Sequence, residues 1–117
     1  KGKVINITGI AARQGSAQMA AYSAGKAGLA RFTQSLALEW APYNVLVNSI
    51  APGAFPDTDL EDAEFLKERT EWAKTNVPLG RIGDLKEVGY LAAYLISDAS
   101  NYMTGQTIYL DGGLTYA

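Results

Sequence analysis

The chain has 117 residues, is 48% hydrophobic and carries a formal charge of −2, which suits one small domain with a packed core. Charges of both signs are interspersed, so no basic stripe points to nucleic acid, and no apolar run approaches the roughly 18 residues of a membrane-spanning helix. With no cysteine and no histidine, disulfides, thiolate metal sites and Ser-His-Asp arrangements are excluded, and acid–base chemistry falls to Asp, Glu, Lys or Tyr.

The chain opens at Lys1-Gly2-Lys3 without methionine and enters a strand pattern by Val4, which reads as the back part of a longer domain. Val4-Ile5-Asn6-Ile7-Thr8 is β-branched and closed by Gly9, the pattern of a strand buried on both faces. Over 17–41 the pattern turns helical: Leu29, Phe32, Leu36 and Trp40 recur at three- and four-residue steps, and Pro42 marks the end. A second strand, 45–51, runs up to Pro52-Gly53. Residues 54–80 are irregular, with an acidic helix-like stretch over 62–74. Asp84 followed by Glu87 resembles a capping box and opens a helix whose Val88, Leu91, Ala92 and Leu95 form one apolar stripe. A last strand, 107–110, is ended by Asp111-Gly112-Gly113. Apolar strands alternating with helices, on connections long enough to cross over, predict a parallel α/β sheet. Its chemistry is expected outside the carboxyl ends of the strands.

Tyr22 and Lys26 stand four apart on the first helix and so share one face. A phenol with an ordinary pKa near 10 is a poor base at neutral pH. An ammonium about 5 Å away, at an effective dielectric of about 20, favours a phenolate by roughly 3 kcal/mol. The spacing is also common by chance, so an exposed surface pair competes with a catalytic one. Ala20, Ala21, Ser23, Ala24, Gly25, Ala27 and Gly28 make this helix start small on nearly every side. Two glycines inside a helix cost about 1 kcal/mol each, and close approach by a ligand, a strand or another helix gives a reason for them. The residues alone leave both readings open.

Asn6-Ile7-Thr8, Tyr22-Ser23-Ala24-Gly25-Lys26-Ala27, Val47-Asn48-Ser49-Ile50-Ala51-Pro52-Gly53 and Thr104-Gly105-Gln106 with Asp111-Gly112-Gly113 together resemble the short-chain dehydrogenase/reductases, most closely the branch with the 3-oxoacyl-carrier-protein reductases and sugar-alcohol dehydrogenases. The likeness runs in order over essentially the whole chain. It implies a Rossmann-like, doubly wound parallel sheet of which residues 1–117 hold the last three strands and their helices, the front half of the domain being absent. It further implies a cytoplasmic oxidoreductase that moves hydride between NAD or NADP and a secondary alcohol or ketone. Tyr22 is then the proton donor and acceptor, and Lys26 binds the nicotinamide ribose and favours the ionised phenol. Pro52 and Gly53 allow the backbone to approach the nicotinamide, with Phe55 and Thr58 as further cofactor contacts, although Thr58 lies one residue further from the proline than the family's threonine.

The chain departs from the family at Gly9, which occupies the place of the catalytic serine. Losing one donor to a polarised carbonyl costs roughly 10²–10³ in rate. Thr8 on the strand is expected to point to the opposite face, whereas Ser16 is a loop residue within reach. Gly9 therefore sustains an alternative: a catalytically impaired family member acting as a binding or assembly subunit. Phe55, Phe65 and Trp72 either line a substrate pocket or anchor a flap. Asp57, Asp59, Glu61, Asp62 and Glu64 read as a solvated helix start rather than a calcium loop, which needs glycine where Asp62 stands. The apolar surplus on helix 17–41 and in the tail 112–117 matches elements through which similar proteins form homotetramers.

Overall fold

The computed structural model describes residues 1–56 and 62–116. Three strands, β1 (Gly2–Ile7), β2 (Val45–Pro52) and β3 (Thr107–Leu110), form a parallel sheet in the order β1-β2-β3. Val4 is in register with Val47 and Ile50 with Ile108. The connections hold α1 (Ala20–Trp40), then α2 (Ala63–Asn76) and α3 (Leu85–Ile96). The class is the expected parallel α/β.

Alternation along β1 shows how the layers are arranged. Asn6 donates to the Thr33 hydroxyl of α1 at 2.9 Å. Lys3, of opposite parity, donates to the Ser97 carbonyl and the Ser100 hydroxyl beyond the end of α3, at 2.7 and 3.0 Å. The two helices therefore cover opposite faces of the sheet. Between them β2 is the core strand, with Val47, Ile50 and Ala51 fully buried. Its two polar residues are buried but paired: the Asn48 amide donates to the Met103 carbonyl and accepts from Gln106 N–H, both at 3.0 Å. Ser49 and Thr8 share a hydroxyl–hydroxyl bond of 2.7 Å.

β1 corrects the sequence reading. It is only part-buried, and Ile7 is 48% exposed. Among the described residues β1 is an edge strand, paired on one side only, so its β-branched residues are half covered. The first helix also starts later than expected, at Ala20. Gln18 adopts φ +65, a left-handed conformation that interrupts helical geometry, and the Met19 N-cap has no side-chain bond to extend it. The other predicted ends hold closely. The second helix is capped by Asp62, which accepts from Glu64 N–H at 3.0 Å. At α3 the capping box is present, with Asp84 accepting from Lys86 N–H at 2.9 Å and Glu87 reaching back to Asp84 N–H at 3.0 Å.

Candidate active site

Parallel strands leave their last carbonyls and the following loops at one edge of the sheet, and the candidate residues gather there. A cavity of about 410 Å³ is lined by Gly9, Ser16, Tyr22, Lys26, Pro52 and Gly53, among others. The loop after β1 forms one wall, the start of α1 the second, and the end of β2 the third. Four of the six expected site residues are therefore brought together. Phe55 is not among them: its ring packs against Gly83, where an added Cβ would lie 2.2 Å from a ring carbon, and it lines a separate small cavity with Val77 and Leu110. Thr58 lies outside the described residues.

One turn of α1 separates Tyr22 from Lys26. The Lys26 ammonium sits 5.7 Å from the centre of the Tyr22 ring and donates to the Ile7 carbonyl at 3.3 Å. That carbonyl closes β1, so the strand end anchors the lysine beside the phenol. Tyr22 is 50% exposed, with its hydroxyl open to the cavity.

Gly9 faces the phenol. Its backbone is extended, at φ 178 and ψ 172, a conformation any residue adopts. An added Cβ would meet only the Tyr22 hydroxyl oxygen, at 3.7 Å. A hydroxyl is thus missing from this spot for no steric reason. Thr8 cannot replace it, because its buried hydroxyl is held by Ser49 and by the Ile50 carbonyl. Ser16 lines the same cavity. The Ser23 hydroxyl, next to the tyrosine, is buried without a hydrogen-bond partner among the described residues.

Gly53 is required by close approach: an added Cβ would lie 2.8 Å from both Cα and Cβ of Asp111. The ends of β2 and β3 therefore touch beneath the cavity. Burial alone would raise the Asp111 carboxyl, but the Thr115 hydroxyl, the N–H groups of Thr115 and Gly113 and the charge of Arg13 hold it below the ordinary aspartate value.

Two groups escaped the sequence reading. Arg13 reaches across the strand ends, lies 3.8 Å over the Tyr109 ring and donates to the Tyr116 hydroxyl at 2.9 Å. It ties the loop that carries Gly9 to the C-terminal tail, a contact between residues remote in sequence that no spacing announces. The other group is Arg69. Phe65, Arg69 and Trp72 follow a helical three-to-four spacing that would have grouped them, and with Ile10, Gly53 and Leu114 they line a second cavity of about 440 Å³.

Comparison with known proteins agrees with this architecture. Residues 1–115 match the family model described as enoyl-(acyl carrier protein) reductase. The 3-oxoacyl-[acyl-carrier-protein] reductase FabG of Chlamydia pneumoniae is 46% identical over 115 residues, covering 98% of this chain and 46% of that protein. FabG of Aquifex aeolicus is 42% identical over 113 residues, covering 97% of this chain and 45% of that protein. The chain thus spans about half the length of the curated relatives it matches. Among solved structures, a putative 2-deoxy-D-gluconate 3-dehydrogenase from Agrobacterium tumefaciens with bound NADP superposes with a TM-score of 0.89. It is 33% identical, over 100% of this chain and 48% of that one. A gluconate 5-dehydrogenase from Burkholderia cenocepacia, in complex with NADP and tartrate, gives a TM-score of 0.87 at 35% identity, over 98% of this chain and 45% of that one.

Proposed function

The chain belongs to the short-chain dehydrogenase/reductase family, and we propose that it carries the proton-transfer part of an oxidoreductase that interconverts a secondary alcohol and a ketone with NAD or NADP. The observation that carries this reading is the placement of Tyr22, Lys26 and the Ile7 carbonyl around one cavity at the carboxyl ends of the strands.

The residues fit a nicotinamide cofactor. An ammonium has three donors, and the bond to Ile7 uses one, leaving Lys26 able to hold the hydroxyls of a ribose. Pro52 and Gly53 present a bare backbone wall across the same cavity. When bound there, a nicotinamide would supply or accept the hydride at the carbonyl carbon. In reduction, Tyr22 Oη gives its proton to the carbonyl oxygen as negative charge develops there, and in oxidation it takes the proton back. Lys26 stabilises the phenolate between these events and fixes the ribose, so one side chain couples cofactor position to proton transfer. With Phe55 turned onto Gly83, the cofactor contacts proposed are Tyr22, Lys26, Pro52 and Gly53.

The test is Tyr22→Phe in the full-length protein. Turnover is expected to be lost while cofactor binding, followed by nicotinamide fluorescence, stays near wild type. Wild-type turnover in the variant would refute the assignment.

We also propose a cytoplasmic homotetramer. Phe32 and Leu38 stand out from α1 at 54% and 79% exposure, and Tyr116 of the tail at 81%. Apolar surface of this kind marks interfaces, and closed two-fold symmetry is the usual way to bury it. Light scattering at micromolar concentration checks this, and a stable monomer would overturn it.

A further inference from the structure

We infer that the ketone or alcohol taken by this site carries a bulky, uncharged apolar substituent seated in the second cavity, with Trp72 and Phe65 as specificity-determining residues. The inference rests on the oxidoreductase reading above and deepens it.

The second cavity adjoins the first. Ile10 and Gly53 line both, so a group seated against Trp72 leads directly to the space in front of Tyr22. At about 440 Å³ it falls in the usual range for small-molecule sites, roughly 300–1,000 Å³. Beyond Ile10 and Gly53 at the strand ends, its walls come from Phe65 and Trp72 on one face of α2 and from Leu114 in the turn that follows β3. Phe65 and Trp72 remain 46% and 44% exposed, although each would gain most from cover.

The polar groups of the lining argue in the same direction. Arg69 is engaged: its guanidinium lies 5.0 Å over the Phe65 ring and donates to the Phe55 carbonyl, so it stiffens the wall and is not held out for an anion. Glu68 adds a carboxylate to the lining, which repels a negatively charged substrate. A polyhydroxylated substrate would lose water from its hydroxyls and find few fixed partners here. An apolar ring or chain loses nothing on entry and covers both aromatic side chains.

The experiment compares kcat/KM of the full-length protein for an aryl alkyl ketone, a medium-chain 3-oxoacyl thioester, a polyhydroxylated keto acid and acetone. The two apolar substrates are expected to exceed the keto acid by at least about tenfold, since even one methylene in an apolar pocket is worth roughly 10–200-fold. Preference for the aryl ketone identifies a free small molecule as the source of the apolar group, and preference for the thioester identifies an acyl chain. Trp72→Ala is expected to lower kcat/KM for the preferred substrate about tenfold, mainly through KM, and to narrow its advantage over acetone by about the same factor. Trp72→Phe, which keeps the aromatic wall, should retain most of the activity. Preference for the keto acid, or a Trp72→Ala variant indifferent to the apolar substituent, overturns the inference. If no ketone is reduced at all, the oxidoreductase reading fails on its own. Equilibrium binding of the aryl ketone, read as quenching present in wild type and lost in Trp72→Phe, then decides the apolar site: such quenching supports it and its absence refutes it.

Discussion

Gly9→Ser should convert this site into a faster one. The Gly9 backbone is already extended, so a side chain causes no conformational strain, and the only heavy atom an added Cβ meets is the Tyr22 hydroxyl oxygen at 3.7 Å. A serine hydroxyl lies one bond beyond that Cβ and can rotate to the 2.7–2.8 Å or so preferred between hydroxyls. In that position it can donate to a carbonyl oxygen that also receives the proton from Tyr22. A single preorganised donor of this kind is worth about 10²–10³ in kcat, or roughly 2.7–4 kcal/mol. The gain should appear mainly in kcat, because the donor strengthens as charge develops on the oxygen. Folding stability should hold or rise slightly, since replacing glycine where the backbone permits it stabilises by about 0.4–1 kcal/mol through the unfolded state. A rate change therefore cannot be credited to a change in the folded fraction. Steady-state kinetics of the full-length protein, with NADH and NADPH in parallel, make the measurement. An unchanged or lower kcat would refute the reasoning and show that the donor is already supplied, with Ser16 as the next residue to replace because Thr8 is committed to Ser49 and Ile50.

Gly53→Ala should destabilise by about 1–3 kcal/mol, because its Cβ lands 2.8 Å from backbone and side-chain carbons of Asp111 and backbone must move to admit it. A urea midpoint equal to wild type would contradict this. Thr33→Val keeps the shape of a fully buried residue but leaves Asn6 without its acceptor, a loss of about 1–3 kcal/mol that the same titration reads. Arg81, the backbone N–H of Asp84 and the capping geometry hold the Glu87 carboxyl at about 2, below its ordinary 4.5. Because the folded value is depressed, this stabilisation is complete above pH 4.5 and is lost as the pH falls towards about 2. The Tm difference between wild type and Arg81→Met should therefore shrink across that window, and a constant difference would show that the ion pair does not contribute.

The periodicities determined the elements, because burial of one stripe or one strand is a local demand on residue type. Val88, Leu91, Ala92 and Leu95 placed α3, Asp84 and Glu87 marked its start, and the run 45–51 placed β2. The spacing of Tyr22 and Lys26 likewise put both side chains on one helix face. Exposure was not legible in the same way. A β-branched run reads alike at the edge or the centre of a sheet, so only the pairing order showed that β1 is half covered. Long-range contacts were equally silent. That Lys26 is steadied by the Ile7 carbonyl, that Arg13 joins the Gly9 loop to Tyr109 and Tyr116, and that Gly53 is glycine because Asp111 leaves no room depends on which strand ends meet. In the sequence Phe55, Phe65 and Trp72 shared one reading, as pocket lining or flap anchors, and Phe55 was expected at the cofactor as well. The tertiary structure separated them, because Gly83 takes the ring of Phe55 while Phe65 and Trp72 on α2 line the second cavity.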